Sequence, residues 1–234
     1  MPPRFGTELA VEALARSPLF HGIDTGELER IAAGMARRRY RRNEVVFHEG
    51  DPGDSLHVLA EGRVKITRAS GEGEEAIVVV LSPGDTFGQI VLLDGAPRSA
   101  TATAIEPTET LTMPRAEFTA LVDGSEAFRW HLMGGVARVV RRLTDQLAEA
   151  HFLDLPGRLA LQLTRLAEES GQDGTRDIPL SPTLTQSDLA AMVGGTRQRV
   201  NRIMGEFTDD GLLKHHGGRI LVCDLERLRA RAGW

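Results

Sequence analysis

The chain has 234 residues and a net charge of −5, with 28 Lys and Arg against 33 Asp and Glu, and its pI is near 5.8. That length builds one large core or two modest ones, two being the expectation, and the acidic balance excludes a global basic field, so a nucleic-acid contact has to come from a local cluster. The single cysteine, Cys223, excludes an internal disulfide and, by itself, an iron–sulfur cluster or a structural zinc; no cofactor and no metal are expected, and a reducing compartment is.

The opening "MPPRFGTELAVEALARSPLF" has no charged-then-apolar leader pattern, and no apolar run approaches the roughly 20 residues of a membrane span. A soluble cytoplasmic protein with no membrane partner is expected. Over residues 11–35 apolar side chains recur at helical spacing, interrupted by Ser17-Pro18 and by residues 24–27, which predicts a few short helices. After Tyr40 the period changes. "EVVFHEG", "LHVLAEG", "RVKITRA", "EAIVVVLSPG", "SATATAIEP" and "ETLTMP" alternate or are β-branched between Gly, Pro and Asp turns, predicting a small barrel or roll of short strands. Gly50, Gly53, Gly62 and Gly84 read as turn residues without chemistry.

From Ala116 the helical period returns. Leu132, Val136, Val139, Leu143 and Leu147 lie 4, 3, 4 and 4 apart on one stripe, the signature of a long amphipathic helix. Packing on its own domain is one cover for that stripe; a parallel helix from a second copy, making a homodimer, is the expected one, because a connecting helix has little else against it. Gly134-Gly135 weakens the segment by about 1 kcal/mol per glycine relative to alanine, so the helix is expected to start or bend there. Asp154 and Pro156-Gly157 read as a hinge. The parts are then residues 1–128, 129–154 and 155–234.

In "TLTQSDLAAMVGGTRQRVNRIMGEFTDDGLLKHHGGRILVCD", Thr185 caps a short helix carrying Leu189, Met192 and Val193, and Gly194-Gly195 turns the chain. Thr196 caps the next helix. Its apolar side is Val200, Ile203, Met204 and Phe207; its other side presents Arg197, Arg199 and Arg202 with Gln198 and Asn201 beside them, the donors that base edges and phosphates require. A strand, a Gly-Gly turn and a second strand follow as a wing. An arginine-rich helix alone is usually a solvated face, but helix, turn, helix and wing in series predict binding to double-stranded DNA.

The order of parts resembles the CRP/FNR transcription regulators from about residue 17 to the C-terminus, on "FHEGDPGDSLHVLAEGRVKI", "PGDTFGQIVLLDGAPRSATATA", "FLDLPGRLA" and "LTQSDLAAMVGGTRQRVNRIM". The resemblance implies an α+β chain: an N-terminal double-stranded β-helix (β-roll) of cyclic-nucleotide-binding type, a long dimerisation helix and a C-terminal winged helix-turn-helix. It implies that a short helix after the Phe87-Gly88 turn presents backbone N–H groups to a cyclic phosphate, that Arg98 pairs with the charge and that Ser99 adds a hydrogen bond, with Ile90 among the ligand-binding residues. Gly88 lets the backbone approach the sugar and Ala100 keeps its position small. Two departures follow. Family binders usually carry a glutamate for the ribose hydroxyl where this chain has Gln89, which accepts without a charge. The adenine-facing hydroxyl positions of the long helix match Leu143 and Thr144, so one hydroxyl is missing. The effector is cAMP, another anion such as cGMP or a cyclic dinucleotide, or none.

For DNA the resemblance implies Arg197 and Arg202 as guanine readers, each at about 1 to 3 kcal/mol of discrimination. Gln198 replaces a cytosine-reading glutamate and prefers adenine, so the half-site is expected to depart from the family consensus there. Thr185, Ser187 and Thr196 are implied phosphate contacts; His215 and His216 are either exposed wing residues or further phosphate contacts. A palindromic operator and RNA polymerase are the implied partners. No enzyme is expected, because histidines 21, 48, 57, 131 and 151 form no nucleophile-base grouping, and His57 reads as a half-buried packing residue. A redox or haem sensor is disfavoured by the position of Cys223.

Overall fold

The computed structural model describes residues 5–170, 175–180, 184–216 and 219–233. The chain divides into two units, residues 1–141 and 142–234. The first begins with α1 (Phe5–Arg16), a single 3-10 turn (Pro18–Phe20) and α2 (Thr25–Ala33). The Asp24 side chain caps α2 by accepting from the Glu27 N–H, as the break at residues 24–27 anticipates.

Eight strands follow: β1 (Ala36–Tyr40), β2 (Val45–Phe47), β3 (Ser55–Glu61), β4 (Val64–Ala69), β5 (Glu75–Leu81), β6 (Thr86–Phe87), β7 (Thr101–Ala104) and β8 (Thr108–Pro114). They form two antiparallel four-stranded sheets, ordered β1-β8-β3-β6 and β2-β7-β4-β5. The alternation of β3 explains its burial on both faces. Leu56, Val58 and Ala60 join Leu14, Phe20, Met113 and Phe128 under the helices. Leu59 instead meets Val64, Leu81, Phe87 and Ala102, a cluster drawn from both sheets. The expected roll is formed, and α3 (Ile90–Asp94) lies between β6 and β7.

The sequence reading did not anticipate β1. "ARRRY" has no apolar alternation, and its strand state comes from pairing with β8. Arg37 and Arg39, two apart and so on one face, both pair with Glu109, which is 5% exposed. Burial by itself raises the Glu109 pKa, but hydrogen bonds from Arg37 and Arg39 outweigh it and hold the carboxyl below the usual range.

After α4 (Arg115–Gly124), α5 (Glu126–Phe152) runs 27 residues. It begins eight residues before Gly134 and continues through both glycines, so the expected start at Gly134-Gly135 is corrected. Packing of its first turns explains this: Phe128 and Leu132 are buried in the first unit's core.

The second unit contains α6 (Leu155–Glu168), β9 (Ile178–Pro179), α7 (Gln186–Val193), α8 (Arg197–Asp209), β10 (Leu213–His216), β11 (Arg219–Val222) and α9 (Leu225–Ala232). Asp154 caps α6, its side chain accepting from the Gly157 N–H at 2.8 Å. Leu159, Leu163, Val200, Ile203, Phe207, Leu213 and Leu228 fill one core. The wing strands pair antiparallel, with β9 as a third strand on β11. Gly217 and Gly218, the expected wing turn, lie outside the described residues. Neither β9 nor α9 was anticipated.

Candidate functional site

Arg98 lies between α3 and β7, where its backbone is laced to the loop ahead of β3. Its N–H donates to the Asp51 carbonyl at 2.9 Å and its carbonyl accepts from the Gly50 N–H at 2.8 Å. The side chain is drawn inward and the residue is only 6% exposed. Nη1 donates to the Gly88 carbonyl at 2.7 Å and Nη2 to the Ser55 carbonyl at 2.9 Å. Cζ stands 4.2 Å from the centroid of the Phe47 ring, a cation–π contact.

Two glycines make this seat. A Cβ on Gly88, whose φ is +78°, would lie 2.5 Å from Nη1, and one on Gly53 would lie 2.6 Å from Nε. Gly53 is therefore more than turn punctuation, because the approach of a cation excludes a side chain there. The hydrogen bonds of the guanidinium go to neutral carbonyls. Its Nε is buried without an acceptor, and Gln89 Oε1 is buried without a donor. Burial lowers the Arg98 pKa while Asp54 and Asp51 pull it up, yet a guanidinium stays charged in a protein. A buried cation with neutral partners is costly, and an anion relieves that cost.

His57 on β3 supplies the aromatic side of the site. Its ring stacks on Phe87 at 4.9 Å and tilts against Phe47 at 5.8 Å, and Nδ1 is 3.3 Å from the hydroxyls of Thr110 and Thr112. The residue is buried rather than half-buried. Burial first, then the charges of Arg98 and Arg38, push its pKa down to about 4, with Asp54 opposing. The unfolded chain takes up this proton near 6.5. His57 therefore contributes nothing unfavourable above that pH, and folding stability falls as pH drops from about 6.5 to about 4, by about 3 kcal/mol in all. Chemical denaturation at pH 7 and pH 4.5 is expected to show that slope, reduced in His57→Leu; equal slopes would contradict a neutral buried imidazole.

The remaining positions implied for the effector divide between the units. Ile90 opens α3 as an exposed residue, Ser99 is exposed and Ala100 is half-buried. Gly88, Gln89 and Arg98 come together, whereas Leu143 and Thr144 occupy exposed positions of α5 in the second unit.

In that unit Thr185 caps α7 through a capping box. Its hydroxyl accepts from the Asp188 N–H at 3.1 Å, and its backbone N–H donates to Asp188 Oδ2 at 2.9 Å. Gly194 closes α7 in the left-handed conformation and Thr196 caps α8. Arg197, Gln198, Arg199, Asn201 and Arg202 are exposed, while Val200, Ile203, Met204 and Phe207 are buried. Amphipathic burial thus fixes which face α8 offers outward. Ser187, His215 and His216 are exposed. Arg202 Nε is 3.7 Å from Glu206 Oε1, an i,i+4 surface pair that is cheap to break. Sequence reading missed Arg158, which donates from Nε to the Val193 carbonyl at 2.9 Å and from Nη1 to the Leu153 carbonyl at 2.8 Å, joining the hinge residue to the end of α7.

The apolar stripe of α5 needs one correction. Leu132 is buried among Phe20 and Phe128 in its own unit, so it is not free for a second copy, and Val139 is half-buried. Among the exposed apolar side chains of α5 are Met133, Val136, Val140, Leu143 and Leu147. Their spacing of 3, 4, 3 and 4 is a heptad seam.

A β-roll with a buried arginine socket and a winged helix-turn-helix with an outward basic face together define a two-domain DNA-binding regulator. Residues 37–125 match the cyclic nucleotide-binding domain and residues 157–231 the Crp-like helix-turn-helix domain. The chain is 32% identical to the CRP-like cAMP-activated global transcriptional regulator of Mycobacterium tuberculosis, over 94% of this chain and 99% of that one. It is 30% identical to the cyclic AMP receptor protein of Thermus thermophilus, over 88% and 92%. The structure of the c-di-GMP-responsive global regulator of Xanthomonas campestris shares the fold, with a TM-score of 0.74 at 22% identity, covering 86% of this chain and 99% of that one. The chain belongs to the CRP/FNR family of transcription regulators and is not an enzyme. No helix among the described residues is long and apolar enough to cross a membrane.

Proposed function

We propose that the chain acts in the cytoplasm as a homodimeric regulator of transcription whose operator binding is switched by a cyclic nucleotide, with cAMP as the effector. One observation carries this reading: the buried Arg98 guanidinium and the neighbouring Gln89 present an unpartnered donor and an unpartnered acceptor, Nε and Oε1. A cyclic phosphate is an anion for the first, and a ribose hydroxyl is a donor for the second. The relatives described as cAMP-activated or as a cyclic AMP receptor support the same effector.

In this reading Arg98 neutralises the cyclic phosphate, Gly88 lets the backbone approach the sugar and Gln89 accepts from the sugar without the strength of a charged partner. Ile90, Ser99 and Ala100 line the approach. Met133, Val136, Val140, Leu143 and Leu147 form the dimer seam. Arg197 and Arg202 read guanine, Gln198 favours adenine, and Thr185, Ser187, Thr196 and Arg199 hold phosphates of a palindromic operator. Nucleotide shifts the balance between two arrangements of the DNA-binding parts, pivoting at residues 153–157, only by its differential affinity for them. RNA polymerase is the partner at the promoter.

The test is a titration of the purified chain with cAMP, cGMP and c-di-GMP, reading thermal stability, operator affinity at fixed salt and sedimentation mass. cAMP is expected to raise both stability and operator affinity of a particle with the mass of two chains. A second reading, regulation without an effector, is favoured by the two carbonyl bonds that already hold Arg98. It predicts operator binding that no nucleotide improves.

A further inference from the structure

Arg115 is an exposed arginine at the first position of α4, yet its guanidinium bonds to three backbone carbonyls on two separate segments. Nη1 donates to the Leu92 carbonyl at 3.2 Å and Nη2 to the Val91 carbonyl at 3.0 Å, both in α3. Nη2 also donates to the Gly53 carbonyl at 3.3 Å. Its backbone N–H adds a bond to the Asp54 carbonyl at 2.6 Å. A fork of donors suits this work, because a single planar group reaches carbonyls on both sides, and a cation is favourable beside the carbonyls at the C-terminal end of a helix.

The two tied segments are the walls of the Arg98 seat. One carries Gly53, whose Cβ position is 2.6 Å from Arg98 Nε; the other, α3, begins two residues after Gly88, whose Cβ position is 2.5 Å from Nη1. Gly53 and Val91 stand 62 and 24 residues from Arg115 in the chain, so the tie is purely tertiary.

We infer that Arg115 is a positioning residue of the effector site, fixing the width of the slot that holds Arg98 by binding the Gly53 loop to α3. This rests on the cyclic-nucleotide reading above. Arg115 acts through the two walls, so its loss loosens the orientation of Arg98 without removing any group assigned to the nucleotide.

The experiment compares the whole chain with Arg115→Ala and Arg115→Lys. Each is titrated calorimetrically with cAMP and cGMP, and backbone hydrogen exchange is followed without nucleotide. In Arg115→Ala the affinity is expected to fall about ten-fold. Exchange is expected to quicken at the Gly95 and Arg98 amides, whose acceptors are the carbonyls of Val91 and Asp51, but not across the β3–β8 pairing. Arg115→Lys restores the charge without the fork and is expected to recover part of the loss; should the alanine variant not fold, the lysine variant decides the same question. Wild-type affinity in the variants, with a wild type that binds, overturns the role of Arg115 alone. Weaker binding with exchange raised equally throughout the roll makes Arg115 a general structural residue and also overturns it. Failure of the wild type to bind either nucleotide overturns the effector reading itself.

Discussion

Arg98→Ala is expected to weaken cAMP binding by about 100-fold or more, the scale of removing one member of a buried charge pair, while DNA binding stays at its nucleotide-free level. The substitution also strands the Gly88 and Ser55 carbonyls that the guanidinium satisfies, so some loss of stability accompanies it, on the order of 1 to 3 kcal/mol. Arg98→Lys separates the two effects, since it keeps a cation but cannot span both carbonyls and present a third donor. His57 supplies a local reporter. The Arg98 charge is the second cause of its low pKa, after burial, so the His57 pKa is expected to rise in Arg98→Ala and, in the wild type, when an anion offsets that charge. Proton NMR of the imidazole reads both. Loss of nucleotide and DNA binding to the same degree, with an unmoved His57 pKa, would mark Arg98 as structural only.

Arg202→Ala and Arg197→Ala are each expected to relax discrimination at one base pair of the operator half-site by about 1 to 3 kcal/mol. Neither change should disturb the fold. Both residues are exposed, the Arg202–Glu206 pair is a surface contact of small worth, and the packing of α8 depends on Val200, Ile203, Met204 and Phe207. Competition between selected operator variants at one salt concentration measures the effect. An arginine that only holds a phosphate would instead weaken all sequences alike and flatten the salt dependence. Gln198→Glu in the same assay is expected to move the preference at its base pair from adenine towards cytosine; an unchanged preference would remove Gln198 from the reading face.

Parts of both sites were readable from short stretches of chain. The capping box of α7 needs only Thr185 and Asp188, three residues apart, and the buried face of α8 is set by a period that spacing alone reveals. The strands with apolar alternation were found for the same reason. β1 was not, because "ARRRY" carries no such pattern and is held in place by β8 and Glu109. Leu132 was misplaced because its spacing suits the exposed seam as well as the core, and only the packing of Phe20 and Phe128 against it decides between them.

The sequence by itself determined the two kinds of core, the roll followed by the winged helix-turn-helix, and the face of α8 that points outward. These follow from local periodicity and capping, which act over a few residues. Tertiary structure alone decided how Arg98 is seated. Gly53 stands 45 positions before it, and the guanidinium bonds Ser55 across 43 residues and Gly88 across 10. Arg115 ties segments still farther apart. A buried cation is tolerated only where distant backbone carbonyls converge on it, and that convergence exists only once the two sheets have closed around their shared core.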